Sequence, residues 1–153
     1  MNTLPQAQSV PVGEDKARIA AQARRKFSAA LANDTQWNEL LAFVRAMPDW
    51  RPPYRSKWVN GHVSEWDSEW CYHLPCPFVG VEWFDMWLIE VKHSAYGQAT
   101  VWTDHGPAIA QRLRGIGFDF EIRGDVARIW GYYPRSCEDL PPAQPIPRYL
   151  RAR

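Results

Sequence analysis

The spacing of apolar residues predicts two helices in the N-terminal third of the chain. Between Glu14 and Leu31 apolar residues recur at every fourth position, which gives a narrow, alanine-rich stripe on one helix face. A second stripe follows Asp34, which is placed to act as the N-cap of a helix that Pro48 ends. Its apolar positions, at the i, i+3, i+4, i+7 spacing, are Trp37, Leu40, Leu41, Val44 and Met47.

Apolar residues in alternation, together with turn signals, predict strands over much of the remaining chain. Tyr54–His62 and Ser64–Tyr72 surround Asn60-Gly61, a dipeptide typical of a two-residue hairpin turn. Val79–Val91 is largely apolar on both faces, so we expect a central strand that is covered on both sides for part of its length.

A third helix and a final hairpin complete the predicted elements. Asp104 or His105 can cap a helix with Pro107 near its first turn, and Gly115 fits the C-cap of that helix. A turn at Gly124 then joins two alternating segments. These two strands are Phe118–Ile122 and Val126–Tyr132.

The order of these elements predicts an α+β fold. We expect a mainly antiparallel sheet of about five strands, with two N-terminal helices and one further helix packed on it. A single domain at residues 13–136 would lie between a flexible leader at 1–12 and a proline-rich tail at 137–153. The residues expected in one shared core are Trp37, Leu41, Val44, Trp83, Leu113, Phe120 and Ile129.

Charge is distributed unevenly along the chain. Between Trp58 and Val91 there are six acidic residues and five tryptophans but no lysine or arginine, although the whole chain has a formal net charge of +1. An acidic surface with aromatic anchors suits a basic protein partner. The alternative is that the tryptophans belong to the core and the acids form the solvated side of the same strands.

The residues from this block that could bind a partner lie on two predicted strands. Alternation in Ser64–Tyr72 places the acids on one face and the tryptophans on the other. Such a row of acids is commonly solvated, but it also projects negative charge toward a partner. The candidate partner-binding residues are Glu65, Asp67, Glu69, Trp66, Trp70, Glu82 and Asp85.

Other chemistry is conceivable for residues of the same block. Glu82 and Asp85 could act as general acid and base in a small hydrolase or transferase, but alternation places them on opposite faces of their strand. A nucleophilic Cys71 with His73 lacks a glycine-rich oxyanion loop around it. Together with Cys76, these two residues also lack an obvious fourth ligand for zinc. We therefore expect a protein without catalytic residues, metal or cofactor.

The basic face of the first helix could contact nucleic acid. We do not expect nucleic acid as the partner, because the acidic block opposes it and the aromatic residues lie in that block. Met1–Gly13 lacks the apolar region of a secretory signal, and no apolar run reaches transmembrane length. Three cysteines without framework spacing indicate reduced thiols. The sequence thus predicts a cytoplasmic protein without a membrane partner.

Several tryptophan motifs resemble those of small tryptophan-rich bacterial proteins, some of which are immunity proteins of polymorphic and type VI secretion toxin systems. The resemblance extends from Trp37 to Tyr133 and lies in a tryptophan-bearing helix and in the segments Ser64–Trp70, Val81–Trp83 and Arg128–Tyr132. It implies a protein that neutralises a cognate toxin by tight binding. A toxin with a basic active-site cleft would suit the acidic block.

Overall fold

The described part of the chain contains three α-helices and several antiparallel β-sheets, which confirms the predicted α+β class. The computed structural model describes residues 13–93 and 99–143, so the predicted leader at 1–12 and the tail beyond 143 lie outside the described residues. The helices are α1 (Gly13–Lys26), α2 (Asp34–Arg45) and α3 (Gly106–Ile116). The strands are β1 (Ala29–Ala30), β2 (Tyr54–Trp58), β3 (Val81–Trp87), β4 (Ile89–Lys92), β5 (Val101–Asp104), β6 (Phe120–Arg123), β7 (Val126–Trp130) and β8 (Tyr132–Tyr133).

The central sheet has four strands in the order β2-β3-β7-β6, and all its pairs are antiparallel. The predicted single sheet of about five strands is divided, because β1 pairs with β8 and β4 pairs with β5 in two small separate sheets. The long strand predicted at Val79–Val91 ends at Trp87. Beyond it, the Leu88 N–H donates to the Asp125 carbonyl, and the chain continues into β4.

The helix boundaries depend on hydrogen bonds that the apolar spacing does not show. α1 ends at Lys26 rather than near Leu31, because the N–H groups of Ser28 and Leu31 donate to carbonyls of Tyr133 and Gly131 instead. α2 is capped by Asn33, which forms a reciprocal capping box with Gln36, and not by Asp34. The C-cap of α3 is Gly117, whose φ of 93° suits glycine, and not Gly115.

One face of the four-stranded sheet packs against α2 and α3 and forms the main core. The helices and the sheet contribute buried apolar side chains, which include Trp37, Leu40, Leu41, Val44, Ile109, Leu113, Tyr54, Phe84, Met86, Ala127 and Ile129. Phe120 packs against this core and is partly buried. The expected position of Trp83 in this core is wrong: Trp83 is fully buried, but its indole lies with Arg128 on the opposite face of the sheet.

That opposite face, which we call the outer face, contains a buried ion pair. Asp85 and Arg128 are both inaccessible to solvent and form two hydrogen bonds, of 2.7 and 2.9 Å. The Arg128 guanidinium lies 3.6 Å from the ring centroid of Trp83 and donates to the carbonyls of Ser136 and Glu138. Contacts with the sheet therefore continue past residue 136, the predicted end of the domain.

Removing one partner of this pair tests its contribution to stability. Asp85→Ala leaves the Arg128 charge buried without its carboxylate, so we expect the free energy of unfolding to fall by about 3–5 kcal/mol. Asp15→Ala, which removes the exposed partner of Arg18, is the matched control and should cost no more than about 1 kcal/mol. Urea unfolding monitored by tryptophan fluorescence measures both changes. Equal losses in the two variants would contradict this role of the buried pair.

Candidate partner-binding site

Residues 64–73, which we call the acidic edge, run beside β2, one of the two edge strands of the central sheet. Asp67 and Tyr54 exchange backbone hydrogen bonds of 2.8 and 2.9 Å, and the Ser64 N–H donates to the Ser56 carbonyl. The pairing consists of isolated bridges, so the strand predicted at Ser64–Tyr72 is not formed as a regular strand. The acidic edge is thus held against β2 while most of its side chains stay accessible.

The predicted alternation holds at the start of the acidic edge. Glu65 and Asp67 line a cavity beside β2, whereas Trp66 lies on the other side of the segment. The Trp66 ring is 4.8 Å from the Arg55 guanidinium and 6.0 Å from the Trp87 ring. Trp66 remains 38% exposed, so it is accessible as an aromatic anchor.

Trp70 is buried, unlike Trp66. Its side chain is 1% exposed, packs edge-on against Tyr54, and donates its indole N–H to the Pro52 carbonyl at 2.8 Å. The alternation ends before Trp70, because the chain turns after Asp67, whose carboxylate accepts the Glu69 N–H. The expectation that Trp70 contacts a partner is therefore wrong, since its indole belongs to the core.

Glu69 organises the loop that follows it instead of projecting its charge outward. One carboxylate oxygen accepts the backbone N–H groups of Cys71, Tyr72 and His73 at 2.8, 2.5 and 3.1 Å. These hydrogen bonds, with that from Tyr72 foremost, lower the pKa of the Glu69 carboxyl below its usual value. The Glu69 carboxylate is therefore engaged by the backbone of its own loop.

Glu82 and Asp85 lie on the same side of the sheet, which corrects the prediction of opposite faces. A register shift between Lys57 and Trp58 inserts Glu82 as an extra residue in β3, and its carboxylate lies 4.0 Å from the Lys57 ammonium. Burial raises the pKa of Glu82. Asp85 is enclosed by arginines, including Arg55 at 3.0 Å. Both acids are buried, so neither contributes to an exposed partner-binding surface.

The cavity beside β2 has a volume of about 310 Å³, and no lysine or arginine lines it. Tyr54 and Trp58 lie deep in its wall, at 2% and 5% exposure. Six of its lining residues have aromatic or ionisable side chains, namely Tyr54, Trp58, His62, Glu65, Asp67 and His73. Burial, followed by the nearby charges of Asp67 and Glu69, raises the pKa of the Tyr54 phenol.

The two carboxylates of the cavity differ in how they are held. Asp67 is fixed, because one oxygen lies 2.8 Å from His73 Nδ1 and the other accepts the Glu69 N–H at 2.8 Å. Glu65 is exposed and makes no hydrogen bond or ion pair with any residue in the described ranges. The cavity therefore combines one fixed acceptor with one carboxylate that can turn toward a ligand.

Sequence reasoning missed the cavity and the pairing of Arg128 with Asp85. The alternation of Tyr54, Ser56 and Trp58 was a usable signal, because it places these side chains on one face of β2. No comparable signal pointed to Arg128, since its partner is 43 residues away in the chain.

The alternative sites have less support from the geometry. Cys71 and His73 are both exposed, and His73 pairs with Asp67; the three cysteines form no disulfide. Among residues 13–93 and 99–143, no three histidine, cysteine or acidic side chains are arranged to hold a metal ion. On α1, Lys16 pairs with Asp34, and Arg24 and Arg25 are exposed.

No helix within the described part of the chain is both long enough and apolar enough to cross a membrane.

Comparison with known proteins gives one match. Residues 19–136 match a family described as "Family of unknown function (DUF6678)". No curated protein and no solved structure matches the chain. The matched range includes the acidic edge, the cavity beside β2 and the buried pair of the outer face.

A pH titration tests the role of Glu69 in ordering its loop. Because the folded-state pKa of Glu69 is lowered, its stabilising effect is full above the unfolded-state pKa and is lost as the pH falls through the folded-state pKa. The Tyr72 amide resonance should therefore show an acidic transition in the wild-type protein, and this transition should be absent in Glu69→Gln. Glu39→Gln, at an exposed position of α2, is the control that should keep it. An unchanged transition in Glu69→Gln would contradict the assignment.

Proposed function

The chain belongs to this family of unknown function, and we propose that it is a non-enzymatic immunity-type protein that neutralises a cognate bacterial toxin in the cytoplasm. The cavity beside β2 is the observation that carries this proposal, because two carboxylates line it and neither lysine nor arginine does. Binding would occlude a basic active-site cleft of the toxin. The resemblance of the tryptophan motifs to immunity proteins also supports this role.

Charge and aromatic surface have separate roles in the proposed complex. Glu65 and Asp67 present negative charge on one side of the acidic edge, which accelerates the approach of a basic partner. Trp66 lies on the other side, and Tyr72 is 63% exposed in the following loop. Since tryptophan and tyrosine often dominate binding energy, a partner that covers this edge gains both steering and anchors.

The burial of the candidate carboxylates favours binding over catalysis. The Asp85 carboxylate is saturated by Arg55 and Arg128, so it is not available as a base for a substrate. Glu82 is buried beside Lys57 and does not line the cavity beside β2. The hydrolase alternative based on these two acids therefore loses its geometric basis.

Protection of cells tests the function itself. The tagged protein should recover a basic protein from its native lysate after nuclease treatment, and that protein should be toxic when it is expressed alone. Co-expression of the wild-type chain should restore growth. A captured protein that is harmless by itself would contradict the immunity role. So would salt-sensitive recovery of nucleic acid from an untreated lysate, with no toxic protein recovered from the treated one.

Binding kinetics test the surface. Glu65→Lys should slow association with the captured partner and reduce its dependence on salt, because a steering charge is reversed. Trp66→Ala should mainly speed dissociation, at a cost of about 2 kcal/mol in binding if Trp66 is an anchor. Glu39→Lys, which makes the same charge change on α2, is the matched control. Equal association rates for Glu65→Lys and Glu39→Lys would show that the acidic edge does not steer the partner.

A further inference from the structure

We propose that the cavity beside β2 is a pocket for the guanidinium group of one arginine side chain. This proposal rests on the proposed function for the source of the arginine, which is the basic protein partner. The pocket itself is defined by Glu65, Asp67, Tyr54 and Trp58, and its ligand chemistry follows from these four side chains.

The carboxylates match the donors of a guanidinium. Asp67 is held in place by His73 and by the Glu69 N–H, and each of its oxygens retains a second lone pair as an acceptor site. Glu65 makes no hydrogen bond within the described ranges and can rotate to complete the contact. A planar group with five N–H donors can bond both carboxylates at once, whereas a compact ammonium presents only three donors.

The aromatic wall also favours a guanidinium over an ammonium. The Trp58 indole N–H donates to Ser56 Oγ at 3.0 Å, and the Tyr54 hydroxyl donates to the Glu69 carbonyl at 2.6 Å. With these polar atoms satisfied, the small parts of Tyr54 and Trp58 that face the cavity are ring carbon, and the His62 ring packs 4.4 Å from that of Trp58. A guanidinium is weakly hydrated and packs on aromatic carbon, while an ammonium holds its water more strongly.

The electrostatic environment has the sign that a cation requires. The negative charges of Asp67 and Glu69 contribute to raising the pKa of Tyr54, after burial, and the same potential attracts a positive ligand. Neither lysine nor arginine lines the cavity, and the side chain that pairs with Asp67 there is His73. Its volume of about 310 Å³ lies at the lower end for ligand pockets, which suits one side chain rather than a large ligand.

Titration with N-acetyl-arginine amide, observed by NMR, tests the pocket without the partner. The probe should shift the Trp58 indole N–H resonance in a saturable manner, with that resonance identified by its loss in Trp58→Phe. Glu65→Gln should weaken binding about three- to tenfold, because it removes one charge-assisted contact at an accessible site. Glu39→Gln should bind the probe like the wild-type protein. N-acetyl-lysine amide should bind more weakly than the arginine probe.

Each of the other outcomes would overturn the assignment. An unshifted Trp58 resonance, or equal affinity in Glu65→Gln and the wild-type protein, would show that the cavity is not the arginine pocket. Equal binding of the lysine probe would overturn the choice of a guanidinium. These failures are distinguishable from failure of the immunity role, because the amide probe reports on the pocket alone and the cell-protection assay reports on the toxin alone.

Discussion

The ion pair between Asp85 and Arg128 connects the parts of the fold on which the acidic edge depends. It joins β3 to β7, while Arg55 extends the same contact to β2. Arg128 also holds residues 136 and 138 over the outer face through their carbonyls. Burying a charged pair is costly unless the remaining donors are satisfied, and here Arg128 makes four hydrogen bonds and packs on Trp83. Through Arg55, this buried cluster also contacts β2, the strand beside which the acidic edge lies.

The acidic block illustrates how formal charge differs from surface charge. Asp85 is neutralised in the interior, Glu69 binds backbone N–H groups, and Glu90 lies 2.8 Å from His105. Carboxylates placed beside such donors organise the structure and are less available to a partner. Of the sequence-predicted acids, Glu65 and Asp67 are the two that line the cavity. A site selected from the charge count alone therefore included residues with quite different physical roles.

The spacing of apolar residues predicted an element correctly where that element is formed by its own residues alone. The apolar stripe of α2 and the hairpin of β6 and β7 were predicted because periods of 3.6 and 2 residues report which side chains share a face. The same rule placed Glu65 and Trp66 on opposite sides of the acidic edge. The rule failed at Glu82, where a register shift adds one residue and moves the carboxylate to the other side of the sheet.

The sequence by itself determined the α+β class, the approximate positions of the helices and main strands, and the concentration of acids and tryptophans in one block. Only the tertiary structure decided that Trp70 is core while Trp66 is accessible, and that Trp83 is covered by Arg128 rather than by a helix. Side-chain alternation is a local property, because successive residues of any strand point to opposite faces of the sheet. Burial and ion pairing depend on segments that meet only after folding, as β3 and β7 do, so no local pattern contains them.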